Sequence, residues 1–259
     1  MMHRVILGTL VLSSTIALAQ SGTSPATIML QAPTTLPIVF TKTVSANHSH
    51  VGDPVSARTE QSARLANGAI IPSGTEITGH VVAATPFAYD KTPYAHQRQS
   101  SLTIHFDSLK LAGELLPLNV TVRAMADPIT SWGARDPGPS DMDPLETVTQ
   151  IGGDQLMRWQ SEVVSRDGDV VAYNKRGGVY AHLIANGGCD GSSVEVSVGI
   201  YSASACGLYG FTDVFAPELG SAANPSTLTL ASTRTSPVLR KHSTALLEVV
   251  GNQQNVASN

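Results

Sequence analysis

An all-β protein is what this sequence predicts: two small barrel- or sandwich-like modules, with little helix beyond the first residues. Three observations carry that expectation. Short runs of apolar residues alternating with polar ones recur at roughly ten-residue spacing, as in sandwiches and barrels. Charged residues make up 14% of the chain, against roughly 25% in ordinary soluble domains. Gly, Pro, Ser and Thr fill the difference and punctuate the apolar runs. The one helical candidate, around Asp154–Ser161, is short.

The first element is a targeting segment. His3 and Arg4 precede a mostly apolar run from Val5 to Leu18, which ends in Ala17-Leu18-Ala19 before Gln20. A basic start, an apolar centre and an A-x-A site form the pattern of a cleavable signal peptide, residues 1–19. Thr9, Ser13, Ser14 and Thr15 dilute the run below the ~20 apolar residues of a spanning helix. The expectation is an exported protein, periplasmic or extracellular, with no membrane span after cleavage. Residues 20–35 read as a loose Ser/Thr/Pro-rich leader.

A β-module is expected over residues 36–126. Leu36–Val44 reads as its first strand, Val51-Gly52-Asp53-Pro54 as a turn, and Val55–Arg64 as a second strand. Two β stretches flank the Pro72-Ser73-Gly74 turn, with Gly79 marking a bulge or a close backbone approach. Leu102, Ile104 and Phe106 then alternate with Thr103, His105 and Asp107. Leu116, Leu118, Val120 and Val122 form the return strand after a turn at Ala112-Gly113-Glu114. Between Phe106 and Leu109 the apolar phase slips by one residue, which predicts a bulge near Asp107–Ser108.

Residues 127–146 hold four prolines, two glycines and four aspartates, and read as a linker between modules. Strand patterns resume over 147–251, in Glu162–Ser165, Val170–Tyr173, Val179–Ile184, Val194–Ala203, Tyr209–Phe215, Thr227–Ala231 and Thr244–Val250. Residues 252–259 read as a tail. Cys189 and Cys206 are the only two cysteines. In an oxidising compartment they predict one disulfide, worth roughly 3 kcal/mol for the loop it closes.

At Ile71-Pro72-Ser73-Gly74-Thr75-Glu76-Ile77-Thr78-Gly79-His80-Val81 the chain resembles a stretch of TrbI-type conjugation proteins, which build the core channel of type IV secretion. There the periplasmic β-barrel domain reads isoleucine-proline-x-glycine-[Ser/Thr]-x-leucine-x-glycine. The segment from Gln97 to Leu109, with Gly113 and Leu116–Leu118, is similar to that family's next hairpin. The resemblance spans residues 50–123 and implies a β-barrel module from a cell-envelope assembly. That family carries an inner-membrane helix, a proline-rich spacer and a channel-forming helical insertion. This chain shows a signal-like start instead, so the resemblance implies a shared module and not a conjugation channel.

Chemistry-bearing candidates are sparse. His48 and His50 stand two apart and on a strand would share a face, as two ligands of a metal ion do; in a turn they are exposed polar residues. His80 and His105 lie on predicted strands, where hydrogen-bonded structural histidines are commonest. Phe87, Tyr89 and Tyr94 sit in a loop, where exposed aromatics point to contact with a ligand or partner. Tyr180, Tyr201 and Tyr209 lie near Cys206 and form either a small aromatic surface or core packing beside the bridge. No G-x-S-x-G, S-x-x-K, H-E-x-x-H or P-loop pattern occurs, which lowers the expectation of an enzyme. No cofactor is expected. A net charge of −4 gives no basic footprint for nucleic acid. The function expected is that of an exported, non-catalytic β-protein binding or scaffolding an envelope protein or surface ligand. The alternative is a secreted or periplasmic hydrolase with an unrecognised site.

Overall fold

The computed structural model describes residues 30–133 except 33, 66, 67, 92, 94 and 95, short strands between 147 and 180, and residues 205–251. The described chain is nearly all β. Its first part forms β1 (Thr35–Phe40), β2 (Val44–Ser45), β3 (Pro54–Thr59), β4 (Ala63–Arg64), β5 (Ile70–Ile71), β6 (Glu76–Thr85), β7 (Ser100–Leu111), β8 (Glu114–Pro117) and β9 (Val120–Ala126), then helix α1 (Pro128–Gly133). Strands β10 (Thr147–Thr149), β11 (Gln155–Met157), β12 (Glu162–Val164), β13 (Val170–Asn174) and β14 (Val179–Tyr180) follow. The last part forms β15 (Gly207–Tyr209), β16 (Thr227–Ser232), β17 (Val238–Leu239) and β18 (Thr244–Val249).

One nine-stranded sheet dominates, in the order β15-β9-β18-β1-β3-β6-β7-β16, with β8 also on β7. Every pairing in it is antiparallel except β15 with β9. This departs from the expected pair of barrel-like modules. Strands from both sides of residues 127–146 share the sheet, and β18 lies between β9 and β1. The sheets do not close into a barrel. β10–β14 form a separate five-stranded antiparallel sheet in simple sequence order. It includes β11, where the sequence suggested a short helix. Among the described residues no helix is long and apolar enough to cross a membrane.

The core forms on the inner face of the main sheet because its strands alternate. β3 and β7 bury every second residue along most of their length. The sheet curls enough for Phe40 on β1 to meet Phe106 on β7, with ring centroids 6.2 Å apart. β1 and β9 are buried along their whole length, as expected of strands covered on both faces. Pro37 fits within β1 because its carbonyl accepts the Glu60 N–H (2.8 Å). Its donorless nitrogen therefore faces the side where pairing with β3 begins only at Ile38.

Two bulges re-aim side chains. On β7 the register steps from Ser108↔Thr78 to Phe106↔Gly79, leaving Asp107 as the extra residue. That is where the apolar phase slips in the sequence. Opposite it, Gly79 packs so close that a Cβ would collide with the His105 carbonyl. On β9 the register steps from Val122↔Leu247 to Ala124↔Leu246, leaving Arg123 as the extra residue. Arg123 is buried and its Nη1 donates to Glu248 Oε2 at 2.8 Å.

The return strand of the sequence-predicted hairpin is shorter than expected. β8 pairs β7 only to Pro117, and the chain then crosses to begin β9 beside β18. Ser226 ties down that crossing from the start of β16. Its Oγ donates to Leu118 O (2.8 Å) and accepts the Val120 N–H (3.2 Å). The β7–β8 turn itself has two residues, Ala112 (φ 52°) and Gly113 (φ 88°), the signature of a type I′ turn. Alanine is strained there and asparagine is not. Ala112→Asn is expected to stabilise the protein by about 1 kcal/mol, read as a higher urea midpoint at an unchanged slope.

Candidate functional site

Two places bring polar side chains together. The first is a groove at the end of β9, where α1, the β15–β16 connection and the segment before β18 converge. It encloses about 380 Å³ and is lined by Asp127, Ile129, Phe211, Thr235, Arg240 and Ser243, among others. That volume lies within the range of small-ligand sites, roughly 300–1,000 Å³.

Local sequence explains each wall. Asp127-Pro128 is a helix start: the Asp127 carboxylate accepts the Thr130 N–H at 2.7 Å, and proline suits the first helical position. The helix replaces the start of the linker expected over residues 127–146, and the Asp-Pro pair is its local signal. Gly210 (φ 78°) packs against Asp127 and Thr130, where a Cβ would clash. Ser243 is fully buried. Its backbone is fixed by hydrogen bonds to Phe40 and Arg240, while its Oγ has no partner among the described residues. No ion pair is found for Arg240 among the described residues. The Arg240 guanidinium beside Ile129, Phe211 and Val238 can hold a ligand with a polar end and an apolar body.

Apolar side chains stand exposed close by. Ile129 on α1 is 77% exposed and Trp132, three residues on, is 75% exposed. The predicted aromatic loop reaches the same rim, since the Phe87 N–H donates to Ser236 Oγ at 2.8 Å and Ser236 lines the groove. Phe87 is half-buried and Tyr89 is 78% exposed.

The second place is the outer face of β6 and β7. His80 and His105 are direct cross-strand partners, with ring centroids 5.6 Å apart. The bulge turns Asp107 outward beside them. His80 Nδ1 donates to both carboxylate oxygens of Asp107, at 2.9 and 3.0 Å. His105 Nδ1 lies 3.4 Å from Thr227 Oγ1 on β16. Neighbouring hydroxyls on this face bond in pairs, Thr78 with Ser108 (3.0 Å) and Thr103 with Thr229 (3.1 Å). An imidazole held by a carboxylate is the base-and-orienter half of nucleophilic machinery, but those hydroxyls are engaged with one another.

The other candidates are dispersed. His48 lies in the turn after β2 and His50 just beyond it, so they do not share a strand face. The His50 N–H is bound to Asp53 Oδ2 (2.8 Å). No group of three or more His, Cys, Asp or Glu is placed to hold a metal ion among the described residues. Tyr209, on β15, is half-buried and its hydroxyl donates to Cys206 O (3.1 Å). Tyr180 lies on β14, paired with Tyr173. Tyr94, Tyr201 and Cys189 lie outside the described residues, and no free cysteine is found among those described.

Compared with family models, with curated proteins and with solved structures, the chain matches none.

Proposed function

We propose that this is an exported, non-catalytic β-protein that binds a partner in the bacterial cell envelope, and that it does so through the groove end of the main sheet. The observation that carries the reading is exposed Ile129, with Trp132 beside it on α1, at a groove that also holds Arg240. Large apolar side chains exposed next to a cavity mark contact surfaces. The signal-like first nineteen residues support export, and the resemblance of residues 50–123 to an envelope β-module supports the compartment. A disulfide between Cys189 and Cys206 belongs to the same reading. Non-reducing peptide mapping of protein recovered from the envelope fraction is expected to join the two cysteine-containing peptides.

The test of binding is the native size of tagged protein from gently solubilised envelopes. A discrete assembly larger than the monomer is expected from the wild type. The Ile129→Asp/Trp132→Ser double variant is expected to run as a monomer with an unchanged circular dichroism spectrum. A wild-type protein recovered only as a monomer from the soluble fraction would refute the proposal.

A further inference from the structure

From the outer face of β6 and β7 we infer a second, separate site: a two-imidazole site for a divalent transition-metal ion of the zinc or copper class, ligated by Nε2 of His80 and Nε2 of His105. Four observations converge. The two residues face each other across adjacent strands, His80↔His105 in the register. Sheet pairing therefore fixes the separation of their backbones without help from side chains. Each ring has a neighbour at Nδ1. A carboxylate only accepts, so the proton between His80 and Asp107 sits on Nδ1, and in the neutral ring Nε2 is then the lone-pair donor. Thr227 stands at the corresponding nitrogen of His105. This is the outer-shell arrangement that orients metal-binding imidazoles and raises their basicity.

The ring separation fits as well. An ion about 2.0–2.1 Å from both Nε2 atoms, at a tetrahedral angle, sets the ring centroids roughly 5–6 Å apart, and they lie 5.6 Å apart. Finally, the side chains of His80 and Asp107 are 41% and 43% exposed, so an ion reaches the site without unfolding. Because no third His, Cys, Asp or Glu completes a group among the described residues, the remaining positions fall to water or to a ligand atom. Two protein ligands make the site an exchangeable one, unlike the closed four-ligand sites that hold structural zinc.

Histidine-ring ¹H–¹⁵N spectra of the folded chain, recorded through a zinc(II) titration, test this at the residues themselves. His80 is expected to carry its proton on Nδ1 before metal is added. The Nε2 resonances of His80 and His105 are expected to move together with one midpoint. His105→Gln is expected to weaken the His80 response at least tenfold. Asp107→Asn is expected to weaken it about tenfold while retaining both ligands. Rings of His80 and His105 that stay unmoved at millimolar zinc would overturn the site. So would different midpoints for the two rings, or a His80 response unchanged by His105→Gln. Both variants lie on the outer face, and the wild-type titration decides the question without them. The groove variants Ile129→Asp/Trp132→Ser are expected to bind zinc as the wild type does, which keeps this site distinct from partner binding.

Discussion

Gly79→Val is expected to destabilise the protein by about 3 kcal/mol, at the upper end of what overpacking does. The position has no room for a side chain, because its Cα faces the His105 carbonyl across the β6–β7 pair. Adding a β-branched side chain must push β6 and β7 apart where their register already steps around Asp107. The central pairing of the sheet weakens with it. About 3 kcal/mol is a large share of the roughly 5–15 kcal/mol that holds a domain folded. Chemical denaturation followed by circular dichroism measures the loss. Gly79→Ala is expected to fall between valine and wild type. A valine variant within about 0.5 kcal/mol of wild type, the ordinary surface scatter, would show that the strands can part without penalty.

The second large effect is at the Arg123–Glu248 pair. The side chains are 4% and 21% exposed and 2.8 Å apart. Removing the carboxylate leaves the guanidinium buried in the β9 bulge without its counter-ion, and truncating one partner of such a pair is strongly destabilising. Glu248→Ala is expected to lower stability by about 3 kcal/mol. Replacing both partners, Arg123→Met with Glu248→Met, is expected to recover most of that loss, since two apolar side chains need no compensating charge. A double-mutant cycle in urea resolves the coupling. A double variant as unstable as Glu248→Ala would mean that the bulge, and not the ion pair, needs Arg123.

What the sequence made legible follows local periodicity. The all-β class, the turns at Gly52 and Gly74, the bulge at Asp107 and the close approach at Gly79 are all written within a few residues of themselves. At Arg123 no such signal exists, since Val120, Val122 and Ala124 keep the alternation and only the pairing with β18 reveals the extra residue. Leu116, Leu118, Val120 and Val122 keep one phase, so nothing local shows that the chain leaves β7 after Leu118 for another neighbour. The main sheet's partnership across residues 127–146 is likewise a long-range property. Helix α1 was hidden by proline and glycine that also suit linkers. The candidate sites were the least legible. Arg240 and Ser243 belong to no motif, and His80 and His105 become neighbours only through strand register.

The adjacency of β1 and β18 has a consequence for how the chain comes into being. Thr35 pairs with Glu248, so one edge of β1 lacks its partner until almost the whole polypeptide has been synthesised. During that interval Thr35–Phe40, an apolar stretch buried on every side in the finished sheet, presents an open strand edge to other nascent chains. Such edges are templates for aggregation, and pairings this distant in sequence form slowly. Yield is therefore expected to depend on the period before Val249 arrives, and to rise when a holding chaperone that shields those six residues is co-expressed.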